Sequence, residues 1–217
     1  MPLDQQRILV AAFQVLNDVG LEGLTLRRLA SSLRVQAPAI YWHFKNKQAL
    51  LDEMATEVLR RAVRASAHLN DLHDWRAWTD SYYRELRRTL LEYRDGAKMF
   101  SGTYLTDADL FVPMEVNLNR MVKAGFTLRQ AVVGLSTLYG YTIGFVIEEQ
   151  AIQLMPGEPN PQYSLAEREA RVNKELNPLA AAAGAELFCR LDERFGDGLK
   201  LIIDGMALQL NQSGSAH

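Results

Sequence analysis

The 217-residue sequence predicts an all-α chain: an N-terminal three-helix helix-turn-helix domain, joined by a long helix to a larger helical domain. Three observations lead to the helical part of that reading. Apolar residues recur at spacings of three and four in nearly every segment. Glycines, prolines and capping residues interrupt them at helix-length intervals. No stretch alternates apolar and polar residues with the period of two that a half-buried strand needs. About nine or ten helices are expected from this punctuation.

The first helix covers about Asp4 to Asp18, with Ile8, Ala12, Val15 and Leu16 on one face, Val19 just beyond and Gly20 placed to stop it. Thr25 is a good N-cap for a second helix. Its inner stripe is Leu26, Leu29, Ala30 and Leu33, with Arg27 and Arg28 facing out. Arg34-Val35-Gln36 makes a short turn. Pro38, whose missing N–H costs nothing in a first helical turn, opens a very short third helix. Helix, three-residue turn and short helix form a helix-turn-helix, with the last helix as reader. Each helical residue turns about 100°, so Ile40, Tyr41, Trp42, His43 and Phe44 cannot all face one core. Ile40 and Phe44 are four apart and are assigned to the interior. Tyr41, Trp42 and His43 then spread over the surface. Rings and imidazole followed by Lys45 and Lys47 make a poor solvated face and a good one for a nucleic-acid groove. The plainer alternative is a core helix with a wet aromatic edge.

A long helix starts near Asn46 or Lys47 and carries Leu50, Leu51, Met54, Val58, Leu59 and Ala62 to about Ala67, before a break at Leu69 to Leu72. Asp74 caps the next, whose stripe is Trp75, Trp78, Tyr82, Leu86, Leu90 and Tyr93 and which ends at Arg94-Asp95-Gly96. Ala97 to Thr103 reads as a short helix, Tyr104 to Asp109 as loop, and Val112 to Ala124 as a helix ended by Gly125. Thr127 caps a long helix from Leu128 to about Leu154. In it Gly134, Ser136, Gly140 and Gly144 lie on or near one side and suit close approach by a helix or ligand. Met155 to Gln162, with three prolines and a glycine, is loop. Helices follow at Leu165 to Glu175, in the alanine-rich stretch after Pro178, at Ala185 to Leu191 and at about Phe195 to Leu210. The last carries Leu199, Ile202, Ile203, Met206 and Leu210 on one stripe. Gln212 to His217 reads as a polar tail. The division is therefore 1–47 as head, 48–67 as connecting helix and 68–217 as body.

Apolar residues make up 48% of the chain, which argues against disorder. No apolar run approaches the roughly 18 residues that a bilayer requires, and no secretion signal opens the sequence, so no membrane partner and a cytoplasmic location are expected. Cys189 is the only cysteine; it fits a reducing compartment and is expected to be a small buried apolar residue. The net charge of −2 conceals an asymmetry: residues 1–47 hold six basic and three acidic side chains, the remainder 18 and 23. A basic head on an acidic body suits a protein of which the head alone meets phosphate.

The stretch Leu21 to Leu51, L-E-G-L-T-L-R-R-L-A-S-S-L-R-V-Q-A-P-A-I-Y-W-H-F-K-N-K-Q-A-L-L, resembles the amino-terminal domain of the tetracycline repressor (TetR) family. Leu90 to Lys98, Gly125 to Arg129 and Gly144 to Gln150 are similar to the tetracycline-repressor subgroup. The resemblance implies a homodimer that binds a palindromic double-stranded DNA operator and releases it on binding a small-molecule effector. It implies that Arg27 reads guanine, that Pro38 and Ala39 touch thymine methyls, and that Tyr41, His43 and Lys47 contact phosphate. These roles fit the chemistry of the side chains. Thr25, Arg28, Gln36, Ala37, Trp42 and Lys45 complete the candidate DNA-binding set. Ala37 departs from the subgroup, which has a glutamine reading adenine there, so a different operator sequence is expected.

The ligand end departs further. Thr103, Glu148 and the Arg94-Asp95-Gly96 turn match the subgroup. Phe100, however, replaces the histidine that coordinates magnesium, and Val63, Tyr82, Tyr104 and Asn117 replace polar pocket residues. A phenyl ring cannot ligate a hard cation. The implied pocket is aromatic and apolar, built on Tyr82, Leu86, Phe100, Tyr104 and Leu135, with Thr103, Asn117 and Glu148 as polar contacts. A small apolar or aromatic effector other than magnesium-tetracycline is expected, with no cofactor and no metal. The competing readings are an activator or ligand-independent DNA-binding protein, and a helical enzyme. Against the enzyme, none of the four histidines falls in an H-E-x-x-H spacing, and no G-x-S-x-G or phosphate-binding glycine loop occurs.

Overall fold

The structure, a computed structural model, describes residues 3–214, without the side chains of Asn70 and of 211–214. Among the described residues are eleven α-helices. Helices α1 (Gln5–Gly23), α2 (Leu26–Leu33) and α3 (Ala37–His43) form the head, and α4 (Lys47–Ala65) leads out of it. The body holds α5 (Trp75–Leu91), α6 (Gly96–Phe100), α7 (Phe111–Lys123), α8 (Leu128–Ile152), α9 (Leu165–Arg171), α10 (Pro178–Phe188) and α11 (Leu191–Gly214).

Helix starts follow side-chain capping. Thr25 accepts from the Arg28 N–H, Asn46 from Ala49, Asp74 from Arg76 and Ala77, and Thr127 shares a capping box with Gln130. Each satisfies backbone donors that a helix start leaves orphaned. The head closes over Ile8, Leu16, Leu29 and Ile40, and Leu50 and Met54 of α4 continue the same core. In the body α8 packs on α5, α7 and α11. Gly134 admits Met206 of α11: a Cβ there would stand 2.4 Å from the Met206 Cε. The Tyr141 hydroxyl donates to the Phe195 carbonyl at 3.0 Å, lying over Gly198. Arg87 of α5 holds Glu149 of α8 through two bonds, 2.6 and 2.8 Å, and reaches Asp192 of α11 at 2.6 Å. This buried guanidinium ties three helices together.

Several elements differ from the sequence reading. Helix α1 does not stop at Gly20 but kinks there, at φ 72°, and resumes for one turn. Helix α4 tightens at Ser66–Asp71 into a 3-10 turn. Helix α8 ends at Ile152, and Gln153–Met155 pairs with Glu158–Pro159 in a small antiparallel hairpin reversed at Gly157, φ 81°. Helix α9 stops at Arg171. Arg190, at φ 51°, breaks the chain between α10 and α11, so the final helix begins at Leu191 rather than near Phe195. It continues through Gly214; the expected tail beyond, 215–217, lies outside the described residues. Cys189 is exposed, not buried, because it caps the end of α10 beyond its packed turn. A Cβ added at Gly140 or Gly144 would meet no neighbouring atom within 4 Å. By length and composition α8 is apolar enough to cross a membrane, contrary to the expectation, with 33% of its most apolar window buried. Here it is the central helix of the body.

Candidate DNA-binding head and effector cavity

The turn between α2 and α3 closes through Arg34, in the left-handed region at φ 56°, with the Val35 N–H donating to the Ala30 carbonyl at 3.0 Å. Pro38 then starts α3, and Ile40 and Phe44 go inside, 0% and 3% exposed. The four-residue spacing fixes the remainder. Tyr41 is 49% exposed, Trp42 90%, and His43 and Lys45 are exposed beside them. A tryptophan carrying nearly its whole ring in water gains nothing from folding. Arg27, Gln36 and Pro38 are exposed, with Ala37 and Ala39 half-buried. Arg28 is exposed and reaches the Gly23 carbonyl at 3.3 Å; the Thr25 hydroxyl is engaged as the cap of α2. Lys47 behaves differently: its Nζ donates to the Leu21 carbonyl at 2.6 Å, pinning the start of α4 to the kinked end of α1.

Sequence reasoning missed how the body grips this head. The Arg94 N–H donates to the Asn17 side chain at 3.0 Å, and the Leu21 N–H to the Asp95 carboxylate at 2.9 Å. Tyr93 packs on Phe13 at 4.6 Å with the rings tilted by 34°, and the Arg61 guanidinium lies 5.0 Å over the Phe13 ring and is bonded to the Tyr93 hydroxyl. Asp95 sits at φ 54°, a conformation aspartate tolerates, and its direction could not be read from spacing.

A cavity of about 670 Å³ opens among α4, α5, α7, α8 and the segment after α6. Six predicted ligand residues line it: Tyr82, Leu86, Phe100, Thr103, Asn117 and Leu135. Two do not. Tyr104 is 80% exposed and outside the wall, and Glu148 lies at a separate hollow of about 350 Å³ beside Tyr163 and Arg168. Trp78, Tyr83 and Tyr139 were missed, although Trp78 and Tyr82 share the stripe read from the sequence. Trp78 stacks on Tyr82 at 5.1 Å, and Phe100 faces Tyr139 at 6.3 Å. Burial pushes the Tyr82, Tyr83 and Tyr139 hydroxyls up from the ordinary phenol range, so all three stay protonated. Tyr83 donates to the Leu135 carbonyl at 2.7 Å. Among the described residues no group of three or more His, Cys, Asp or Glu is placed to hold a metal ion.

One wall of the cavity, Leu105-Thr106-Asp107, is bonded to α4. The Tyr104 N–H donates to Asp52 at 3.1 Å and the Thr106 N–H to the Thr56 hydroxyl at 2.9 Å. The Thr106 hydroxyl donates to Glu53 at 2.6 Å, and Arg60 pairs with Asp107 at 2.8 Å. The Asp107 carboxyl is held below its usual range by the Asp109 N–H first and Arg60 second.

Two family models match the chain: "Bacterial regulatory proteins, tetR family" over residues 8–54 and "Tetracyclin repressor-like, C-terminal domain" over 69–210. The class A tetracycline repressor protein from transposon 1721 of Escherichia coli is 38% identical over 207 residues, 94% of this chain and 91% of the relative. A possible TetR family transcriptional regulator from Streptomyces coelicolor A3(2) superimposes with a TM-score of 0.82 at 34% identity, covering 94% of this chain and 99% of that one. A class A TetR in complex with 5a,6-anhydrotetracycline and magnesium gives 0.66 at 31% identity, covering 94% and 98%.

Proposed function

The chain belongs to the tetracycline repressor family of bacterial regulators, and from that premise we propose that it is a ligand-responsive transcriptional repressor, binding a palindromic operator as a homodimer. The observation that carries this reading is α3, which buries Ile40 and Phe44 and turns Tyr41, Trp42 and His43 outward. Arg27 is free to reach a guanine edge, and Pro38 and Ala39 suit thymine methyls. Tyr41, His43 and Lys45 supply phosphate contacts, with Lys47 contributing from its seat on Leu21. Ala37 cannot make a bidentate amide contact to adenine, so the operator differs at that base from one read by glutamine.

Two copies would meet through α8 and α11, in a four-helix bundle with their mates. Val133, Gly140 and Gly144 on α8, with Leu201, Gly205 and Leu208 on α11, are exposed and leave room for close approach. Two reader helices then enter successive major grooves about 34–36 Å apart. The effector is small, apolar or aromatic, and is not a magnesium chelate, because Phe100 offers the ion no lone pair. It acts by preferring a conformer in which α4 tilts and the readers lose groove spacing; without such a preference no equilibrium shifts. The bonded 104–107 wall and the 94–96 turn are the two routes from cavity to head. The protein works in the cytoplasm, needs no cofactor or membrane, and is not an enzyme. Residues 1–47, 48–67 and 68–217 are its reader, connector and effector-binding parts.

Selection from a randomised duplex pool tests the proposal. A palindromic site is expected, bound with strong salt dependence and lost in Arg27→Ala. No enrichment at low ionic strength refutes the regulator, and magnesium-dependent, submicromolar tetracycline binding by calorimetry refutes the effector assignment.

A further inference from the structure

We infer that the cavity selects multi-ring aromatic compounds bearing a hydroxyl or carbonyl, and rejects anions of the same shape. This deepens the reading of the cavity as the effector site and rests on it. Its volume of about 670 Å³ falls within the range of drug-sized ligand sites. Its walls offer flat partners: the Trp78–Tyr82 stack on one element and the Phe100–Tyr139 pair across two others. Aromatic pairs of this kind add to area burial when a further ring is offered in offset or edge contact.

The charge preference follows from what the wall lacks. Among the described residues no lysine, arginine or histidine lines the cavity. Its one acid, Asp107, is held by Arg60, which also binds Glu53. A ligand anion would therefore lose its hydration and find no positive partner, which is costly. Neutral polar groups fare better. The Tyr82 and Tyr139 hydroxyls and the Asn117 amide belong to the lining and have no hydrogen-bond partner among the described residues. The neighbouring Tyr83, Thr103 and Ser136 hydroxyls are committed to backbone carbonyls at 2.7, 2.7 and 3.0 Å. So two phenols and one amide remain to bond a ligand hydroxyl or carbonyl.

The test uses the intact protein and two anthraquinones that differ in one substituent, 2-hydroxymethyl and 2-sulfonate. Affinities are read by quenching of intrinsic tryptophan fluorescence and by calorimetry. The hydroxymethyl compound is expected to bind at least roughly tenfold tighter than the sulfonate, the penalty of one unpaired charge. Tyr82→Phe, which removes a single oxygen, weakens it by about two- to tenfold. Leu135→Trp, which fills the cavity, abolishes it. The sulfonate binding as well as the neutral probe overturns the inference. So does failure of the neutral probe to bind, or neutral binding that neither variant alters. Operator binding is measured separately. If the neutral probe is selected but no duplex is bound, the regulator reading fails and the cavity's preference stands.

Discussion

Gly20→Ala probes the contact between head and body with a single methyl group. Gly20 lies at φ 72°, ψ 177°, a conformation essentially closed to residues with a side chain, so alanine there costs about 2 kcal/mol in strain. The new Cβ would stand 2.8 Å from the Asp95 Oδ2, the atom that accepts from the Leu21 N–H at 2.9 Å. Pushing the carboxylate away removes a hydrogen bond to a charged group, about 1.5–3 kcal/mol more. The sum, about 4 kcal/mol, lowers the melting temperature of a chain this size by roughly 10 °C. Gly102→Ala is the control. Gly102 also has positive φ, 70°, but a Cβ there meets nothing within 4 Å, so strain alone remains, about 1–2 kcal/mol. Thermal unfolding followed by circular dichroism compares the two. If both variants melt within about 2 °C of each other, the Asp95 contact contributes nothing and the reasoning fails.

Further outcomes follow from the same geometry. Arg27→Ala is expected to weaken the selected operator by about 1–3 kcal/mol and relax preference at one base, while Lys45→Ala lowers the salt slope by about one, both read by fluorescence anisotropy. Glu149→Leu strands the buried Arg87, whose other partner, the Asp192 carboxylate, is 88% exposed, and costs about 3 kcal/mol in chemical denaturation. Adding Arg87→Met to that variant recovers much of the loss; a double variant less stable than the single one contradicts this. Burial alone would raise the Glu57 carboxyl, but its bonds to Arg61 and Arg64 outweigh burial and hold it below the ordinary range. Its folded value is thus lower than its unfolded one, so its stabilisation is complete above about pH 4.5 and fades as the pH falls. Glu57→Gln should flatten that part of the stability profile, and an unchanged profile would remove Glu57 from the account.

Some of this was legible because it is local. Thr25, Asp74 and Thr127 announce helix starts by hydrogen bonds to their own next turn, and Ile40 and Phe44 announce their burial by spacing. What failed to show depends on tertiary position. Leu154 and Met155 continue the apolar run of α8, yet they leave it as an extended strand, because Pro156-Gly157 reverses the chain against Glu158. Glu148 and Glu149 look equivalent in sequence, but one turn step of about 100° sends Glu149 onto Arg87 and Glu148 to the surface. Tyr104 and Trp78 exchange roles for a similar reason. Spacing gives Trp78 a face but Tyr104, in a loop, none, and only the course of residues 101–110 decides which of them meets the hollow.

The same distinction bears on how a signal could cross the molecule. Helix α4 is the element that both sites share: its Leu50 and Met54 belong to the head's core, while Leu59 and Val63 line the cavity. Between them, Asp52, Glu53, Thr56 and Arg60 hold the 104–107 wall. A ligand that fills the cavity and displaces that wall must either stretch these bonds or carry α4 with it. Several bonds in parallel resist stretching better than a helix resting on one end of a core resists tilting. The second grip, Asp95 on Leu21 and Asn17 on Arg94, holds the head through α1 rather than α4. In the proposed repressor, a tilt of α4 against a held 94–96 turn would shift α3 relative to its mate and so change the spacing of the two reader helices on a duplex.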